Sequence, residues 1–231
     1  MYFKVLTSYK DWHEDVKPPV NNPRPTTIIP QKQDQPMPVF QLKDPCPNIC
    51  IGLSDETLAG DLGPHMGDSA RSFLPDLQDT STLISDPNIL PSGLRFPFLM
   101  VEAKSSATGG NLYQAQNQAA VSGSSALQIF RNLSDLQDIQ DSYRRNGPAG
   151  YDDSGLTDLN LAFSITTEGP THELWLHLRR FCDDEFYMVC MGSWRVTNDN
   201  ASRDFLCHVA AVLRWGHGKL KNSIVSTLKD L

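Results

Sequence analysis

The longest apolar run in the chain predicts a central strand. Residues 96–104, FPFLMVEAK, are apolar at almost every position until Glu102. A run of that length indicates a strand that is covered on both faces. Residues 48–54, NICIGLS, predict a shorter buried strand. Two more segments have strand patterns: residues 159–180 predict a β-hairpin that turns around 168–170, and residues 186–196 predict a further strand.

A helical repeat of small residues follows the central strand. Between Leu112 and Leu133, small and apolar residues recur at alternating steps of four and three, so one helix face can lie close on a sheet. The polar residues 134–155 predict a loop. Another helix is predicted at 202–216, and a last short helix closes the chain. For the helix at 202–216 we expect Asn200 or Ser202 as the cap and Gly216 as the stop.

The order of these elements predicts an α/β fold, with a mixed central sheet flanked by helices. Residues 54–93 are a polar, turn-rich insertion with one helix near residues 73–77. Residues 18–47 hold nine of the sixteen prolines, and proline removes backbone hydrogen-bond donors. We therefore expect a partly extended, Pro-rich segment at 1–44 and one domain at 45–231. Near Tyr9 and Trp12 the pattern predicts a short helix that docks elsewhere.

Length and charge narrow the possible functions. The chain has 231 residues, which suits one domain with a tail. Its 20 basic and 27 acidic residues give a net charge of −7. Because phosphate contacts supply most non-specific affinity for nucleic acids, this chain would need a local basic surface to bind them. The local basic groupings are Arg144-Arg145, Arg179-Arg180, Arg195 and the pair Lys219 and Lys221.

Cysteine usage indicates a reducing compartment. Five cysteines cannot all pair with one another, and Cys46 and Cys50 lack the second Cys or His pair that a zinc site needs. The first residues contain no apolar stretch typical of a signal peptide, and no segment reaches the length of a membrane span. We expect an intracellular protein of the nucleus or cytoplasm.

Glu102 and Lys104 end the predicted central strand. The period of a strand places both side chains on one face. A charge at the end of a buried strand is costly unless it is paired or binds a metal. Glu can bind Mg²⁺ there, and Lys can hold or help deprotonate a water molecule aimed at a phosphate. An exposed strand end with a weak neighbouring ion pair is the alternative.

Five segments together resemble a PD-(D/E)XK nuclease-like domain found in filamentous-fungal proteins. They are CPNICIGLS, LRFPFLMVEAKSS, GGNLYQAQNQAAVSGSSALQIFRNL, TEGPTHELWLH and MVCMGSWRV with AAVLRWG. The resemblance runs from about Pro45 to the C-terminus, and the Glu-x-Lys strand with the Gln-rich helix is its most distinctive part. It implies a restriction-endonuclease-like core that hydrolyses phosphodiester bonds of DNA or RNA with Mg²⁺ or Mn²⁺.

The resemblance also implies roles for individual residues. Glu102 matches the metal-binding acid, and Lys104 matches the lysine that activates water. Gln114 and Gln118 lie four apart on one helix face, so either could be the supporting amide. A solvated helix face is the alternative for this Gln-rich segment.

Asn48 departs from the family pattern, which has a Pro-Asp element where this chain has Pro47 and Asn48. An amide oxygen can bind Mg²⁺, but without the negative charge that favours a hard cation. Three explanations stay open: an inactive copy, a nearby substitute acid such as Asp55 or Asp44, or a substitution made for study. A helix acid supplied from the N-terminus would be Glu14 or Asp15. The alternative function is an inactive nuclease-fold module that binds nucleic acid or protein.

Overall fold

Six strands form one mixed sheet in the described part of the chain. The computed structural model describes residues 3–7, 11–18, 44–145, 158–179 and 185–231. Most of the Pro-rich segment, Tyr9, Arg180 and Cys182 lie outside the described residues, as do the side chains of Arg144 and Arg145. The strands are β1 (Phe3–Leu6), β2 (Ile49–Ser54), β3 (Leu94–Lys104), β4 (Leu161–Glu168), β5 (Thr171–Arg179) and β6 (Phe186–Arg195).

The strands lie side by side in chain order, from β1 to β6. Strand β3 runs parallel to β4, and every other neighbouring pair is antiparallel. The apolar run thus becomes an inner strand, and all residues from Leu94 to Met100 are buried. This confirms the predicted α/β fold with a mixed sheet. The more specific restriction-endonuclease-like core stays a prediction.

Helices flank the sheet. They are α1 (Asp55–Met66), α2 (Phe73–Thr80), α3 (Leu112–Arg145), α4 (Asp199–Trp215) and α5 (Lys221–Asp230). Helix α3 makes the crossover between the parallel strands and packs on β3, β4 and β5. Its small-residue face is buried as predicted, with Ala115, Ala119 and Ala126 fully covered. Within the described residues, no helix combines the length and apolarity needed to cross a membrane.

Helix α3 is longer than its apolar repeat. The predicted loop at 134–155 is wrong as far as Arg145, and residues 146–157 lie outside the described part. The polar residues of this extension contact α5: Gln137 Oε1 accepts a hydrogen bond from Thr227 Oγ1 at 3.3 Å, and Gln140 Nε2 donates one to the Leu231 carbonyl at 3.5 Å. Hydrogen bonds to a helix that is distant in the chain produce no periodic pattern of apolar residues, so the sequence did not indicate this part of α3.

Gly216 does not end helix α4, contrary to the prediction. It has helical backbone angles (φ −59°, ψ −42°), and the chain continues through one π-helical turn at Gly216–Leu220 into α5. A Cβ at this position would lie 2.4 Å from the Phe98 ring, so glycine allows close packing here. The cap of α4 is Asn198, whose side chain accepts a hydrogen bond from Ala201 N–H at 2.9 Å, and not Asn200 or Ser202.

Helix α1 forms where the sequence indicated turns. Gly60, Gly63 and Pro64 lower its intrinsic helix propensity. Leu58 and Leu62 lie one turn apart and are fully buried, so packing against the core stabilises this helix. The predicted helix near 73–77 is confirmed as α2.

The residues before the Pro-rich segment join the core. Strand β1 pairs with β2, although the sequence predicted no strand there. Trp12 is 2% exposed and forms an isolated bridge with Asn88. The predicted short helix is a single 3-10 turn at Glu14–Val16, with Val16 buried.

Candidate functional site

A cleft of about 680 Å³ lies at the C-terminal end of β3, beside the first turns of α3. Lys104, Gln114 and Gln118 all line it, so the structure brings together three of the residues chosen from the sequence. Asp44, one of the two substitute acids, lines the same cleft. Other lining residues are Cys46, Gly110, Asn117 and Ser122.

Lys104 is the cation of this cleft. It is the last residue of β3, and its side chain is half-buried. Among the described residues, no carboxylate forms an ion pair with it. A Cβ at Gly110 would lie 3.1 Å from Lys104 Cβ, so the glycine allows the chain to turn back close to the lysine. The ammonium group is therefore available to an anionic ligand in the cleft.

Glu102 lies behind the cleft wall. Its side chain is 1% exposed, and Oε1 accepts a hydrogen bond from Ser122 Oγ at 2.9 Å. Ser122 lines the cleft, whereas Glu102 is not among the lining residues. A buried carboxylate is costly, so its position beneath the cleft needs compensating contacts. The predicted shared face of Glu102 and Lys104 agrees with this arrangement, because both lie on the side that α3 covers.

The two glutamines have different environments. Gln114 forms a reciprocal cap with Asn111: the Gln114 N–H donates to Asn111 Oδ1 at 3.0 Å, and the Asn111 N–H donates to Gln114 Oε1 at 3.3 Å. Gln118 Oε1 is buried and has no hydrogen-bond partner among the described residues. The amide oxygen of Gln118 is therefore the one that can accept from a ligand or water in the cleft.

Asn48 uses its side chain to extend the sheet. Its Oδ1 accepts a hydrogen bond from the Ala103 N–H at 2.6 Å. Ile49 lies opposite Val101 in the register, so Asn48 reaches β3 beside Glu102. Asn48 is not among the residues that line the cleft. The structure thus brings Asn48 near the Glu-x-Lys strand, with its amide oxygen already bonded to backbone.

Asp55 is not brought to the cleft. It begins α1, beyond the opposite end of β2 from Asn48. Six strand residues lie between the two, so seven steps of about 3.3 Å separate them by roughly 23 Å. Asp55 Oδ1 pairs with Arg95 Nε at 2.9 Å, and Arg95 is 6% exposed. This contact gives Asp55 a structural role.

Asp44 and Glu14 share one lysine. Lys17 Nζ lies 2.5 Å from Asp44 Oδ1 and 3.6 Å from Glu14 Oε1. The hydrogen bond to Asp44 raises the pKa of Lys17. Of the substitute acids suggested by the sequence, Asp44 is the one that reaches the cleft, and it arrives there paired with a cation. Asp15 lies in the same 3-10 turn as Glu14.

The chain matches a known protein family over nearly its whole length. One family model matches residues 1–228, and its description is "Domain of unknown function (DUF7924)". The chain belongs to the DUF7924 family. No curated protein and no solved structure matches the chain. The match includes β1 and Trp12 as well as the cleft.

The DUF7924 domain also holds a buried polar layer that the sequence did not indicate. Glu173 on β5 accepts hydrogen bonds at Oε2 from Gln116 of α3 and Thr166 of β4, both at 2.8 Å. One strand row links Glu102, Thr166 and Glu173. This row lies under α3, so polar contacts join the helix to the sheet directly behind the cleft. Only pairing register could have revealed it, because the residues come from three strands.

The oxygen atoms at this cleft suit a hard divalent cation. Carboxylate and amide oxygens are the protein ligands that Mg²⁺ and Mn²⁺ prefer. Such atoms occur on Asp44 and Gln118 at the wall and on Glu102 behind it. In the part of the DUF7924 domain that the structure describes, no three His, Cys, Asp or Glu side chains form a metal-ligand group.

Proposed function

We propose that the DUF7924 domain is a metal-dependent nuclease that hydrolyses phosphodiester bonds of DNA or RNA. The observation that carries this proposal is the shared cleft of Lys104 and Gln118. Lys104 makes no ion pair with a described residue, and the buried Gln118 Oε1 has no described hydrogen-bond partner. A cation and a free acceptor in one cleft can bind a phosphate group and a water molecule together.

Each group would contribute differently to hydrolysis. The Lys104 ammonium donates hydrogen bonds to a phosphate oxygen, and its charge opposes the negative charge that grows during the reaction. Gln118 Oε1 accepts a hydrogen bond from the attacking water and orients it. Glu102 and Asp44 are the residues that would hold Mg²⁺ or Mn²⁺. When bound, such an ion acts as a Lewis acid on phosphate and lowers the pKa of bound water.

One observation favours the alternative, a nuclease-fold module that binds nucleic acid or protein without cleaving it. Asn48 carries no charge, and its Oδ1 already accepts the Ala103 N–H at 2.6 Å. A site that lacks this carboxylate binds a hard cation less strongly. The two functions differ in whether Asp44 and Glu102 supply enough negative charge to bind the metal ion.

A cleavage assay separates the two functions. Labelled single-stranded and double-stranded DNA and RNA are incubated with the full chain and Mn²⁺. Lys104→Ala should reduce cleavage by roughly 100-fold or more, because electrostatic groups at reacting centres contribute about that much. Lys4→Ala is the matched control, since Lys4 is exposed on the distant edge strand β1. Equal cleavage by Lys104→Ala and the wild type would contradict the assignment of Lys104.

Asn48→Asp tests the alternative in the same assay. An aspartate at position 48 can still accept the Ala103 N–H, so the sheet contact is retained. If only Asn48→Asp cleaves, the natural chain is an inactive copy with a repairable site. If neither protein cleaves, and calorimetry detects no Mn²⁺ binding by either, the nuclease proposal is wrong.

A further inference from the structure

Lys104 and Arg195 lie in one cross-strand row. In the register, Lys104 is opposite Glu168, Glu168 is opposite Thr171, and Thr171 is opposite Arg195. Directly opposite residues project from the same face of a sheet. Three inter-strand steps of about 4.8 Å separate the two cations by roughly 14 Å along the row. The row therefore extends from the cleft to the exposed Arg195 on the edge strand β6.

Both cations lack a protein counter-ion within the described residues. The carboxylate between them, Glu168, is used elsewhere. Its Oε1 accepts a hydrogen bond from Ser106 Oγ and its Oε2 accepts one from the Leu112 N–H, each at 2.8 Å. The second contact places its charge at the N-terminus of α3, where the helix dipole offsets it. The row thus presents two available positive charges on either side of an acid whose oxygens already accept hydrogen bonds.

Tyr113 is an exposed aromatic residue at the start of α3. It lies in the first turn of the helix and is 76% exposed. Gln116 lies three residues later, on the same side of the helix, and donates to Glu173 on β5. Asn117, one turn further along the helix, lines the cleft. Because the preceding residue, Leu112, donates its N–H to Glu168 of the row, Tyr113 lies beside the part of the row between Lys104 and Arg195.

Two cations with an exposed aromatic between them suit an unpaired nucleic-acid strand. Cationic groups bind the phosphate backbone, and an exposed aromatic ring stacks on a base. A base in a duplex is already stacked and cannot cover Tyr113 in this way. We propose that the DUF7924 domain takes single-stranded nucleic acid, whose backbone lies from Lys104 to Arg195 with a base stacked on Tyr113. This inference rests on the proposed function and names its substrate class.

Binding without cleavage tests the inference. Fluorescence anisotropy is measured in EDTA with fluorescein-labelled oligothymidylate, oligouridylate and a mixed-sequence DNA duplex. The single strands should bind more tightly than the duplex, and the better of the two identifies DNA or RNA. Tyr113→Ala should weaken single-strand binding by roughly 5- to 100-fold, the effect of removing one stacked base. Tyr113→Phe should retain most of the affinity, because it keeps the ring.

Arg195→Ala tests the phosphate contact. It should weaken binding of all single strands alike and reduce the salt slope by about one, as expected for one lost phosphate contact. Lys4→Ala, on the opposite edge strand, should change neither quantity. Unchanged binding by Tyr113→Ala, equal losses in Tyr113→Ala and Tyr113→Phe, or preferred duplex binding would each overturn the inference.

The single-strand inference and the nuclease proposal can fail independently of each other. If Tyr113 controls single-strand binding but no metal supports cleavage, the inference stands and the nuclease proposal fails. If the wild type and Tyr113→Ala cleave duplexes equally well, the nuclease proposal stands and the inference fails.

Discussion

Gly123 of α3 packs directly against the imidazole ring of His177 on β5. A Cβ at position 123 would lie 2.3 Å from His177 Nδ1. The ring is 2% exposed, and its Nε2 lies 2.8 Å from Ser164 Oγ. Helix and sheet therefore meet through a residue without a side chain, next to the polar layer behind the cleft. The distance between α3 and the sheet depends on this contact.

Gly123→Ala should destabilise the protein. An added methyl group forces the fixed ring or the helix to move, and overpacking of this kind costs about 1–3 kcal/mol. The loss should appear although alanine favours a helix over glycine by up to about 1 kcal/mol. Urea unfolding measures it. Gly60→Ala is the matched control, because nothing lies within 4 Å of that Cβ, and it should be neutral or stabilising. Equal effects of both substitutions would contradict the packing argument.

His177 should make stability depend on pH. Burial lowers the pKa of His177 to about 4, whereas an unfolded histidine has a pKa of about 6.5. The unfolded chain therefore binds the proton first as the pH falls. The contribution of His177 to the free energy of unfolding is therefore complete above pH 6.5. It falls by about 3 kcal/mol in total as the pH drops from 6.5 to 4.

Urea unfolding at several pH values measures this dependence. His177→Gln should flatten the dependence between pH 6.5 and 4, because glutamine does not titrate. His172→Gln is the control, since His172 is a half-buried histidine on the same strand, β5. A wild-type slope retained in His177→Gln would show that other groups cause it.

Asp55→Ala should reduce stability without a specific effect on metal binding. The substitution removes the carboxylate that pairs with the buried Arg95. Leaving a buried cation without its partner should cost about 3 kcal/mol, the low end for a buried pair, because Arg95 keeps hydrogen bonds to Gln78 and Ser85. Urea unfolding and Mn²⁺ calorimetry are compared with the exposed control Glu56→Ala. Loss of Mn²⁺ binding by a stable Asp55→Ala protein would instead place Asp55 at the metal.

Glu168→Ala should weaken the start of α3. It removes the acceptor of the Leu112 N–H and Ser106 Oγ hydrogen bonds, and loss of a helix cap costs about 1–2 kcal/mol. Glu168→Gln should recover part of this loss, because its amide oxygen still accepts one bond. The midpoint temperatures of thermal unfolding rank the stability of the two variants and the wild type. Identical unfolding of both variants and the wild type would exclude a capping role for Glu168.

Cys50 should react slowly with alkylating agents. Its side chain is buried, and burial raises the pKa of its thiol, so little thiolate forms at neutral pH. Cys190 and Cys207 are exposed and serve as internal controls. Peptide mass spectrometry after timed iodoacetamide treatment should show both modified well before Cys50. Simultaneous modification of all three would indicate that the core around β2 opens readily.

Much of the sheet could be predicted because the residues of each strand form a recognisable pattern within that strand. The apolar run before Glu102 predicted β3, and the turn at 168–170 predicted the β4–β5 hairpin. Helix α1 and the end of α3 were missed for the opposite reason. Their helical state depends on packing against the core and on polar contacts with α5, and neither leaves a periodic pattern.

The candidate site was predicted only in part. Local pattern was sufficient to bring Lys104, Gln114 and Gln118 together, because a strand that ends in Lys and a helix that returns over it occupy adjacent places in the chain. It could not separate Gln118 from Gln114, since the difference lies in the cap with Asn111. Asp55 is near Asn48 in sequence, but the extended strand between them carries it to the other end.

The sequence by itself determined the α/β class, the inner strand and the alignment of Glu102 with Lys104 on one face, because strand and helix periods are local properties. The tertiary structure alone decided that Asn48 bonds to Ala103, that Ser122 covers Glu102, and that the row from Lys104 ends at Arg195. These relationships join residues far apart in the chain. They follow from strand register and from how closely α3 approaches the sheet, and neither is encoded in any single segment.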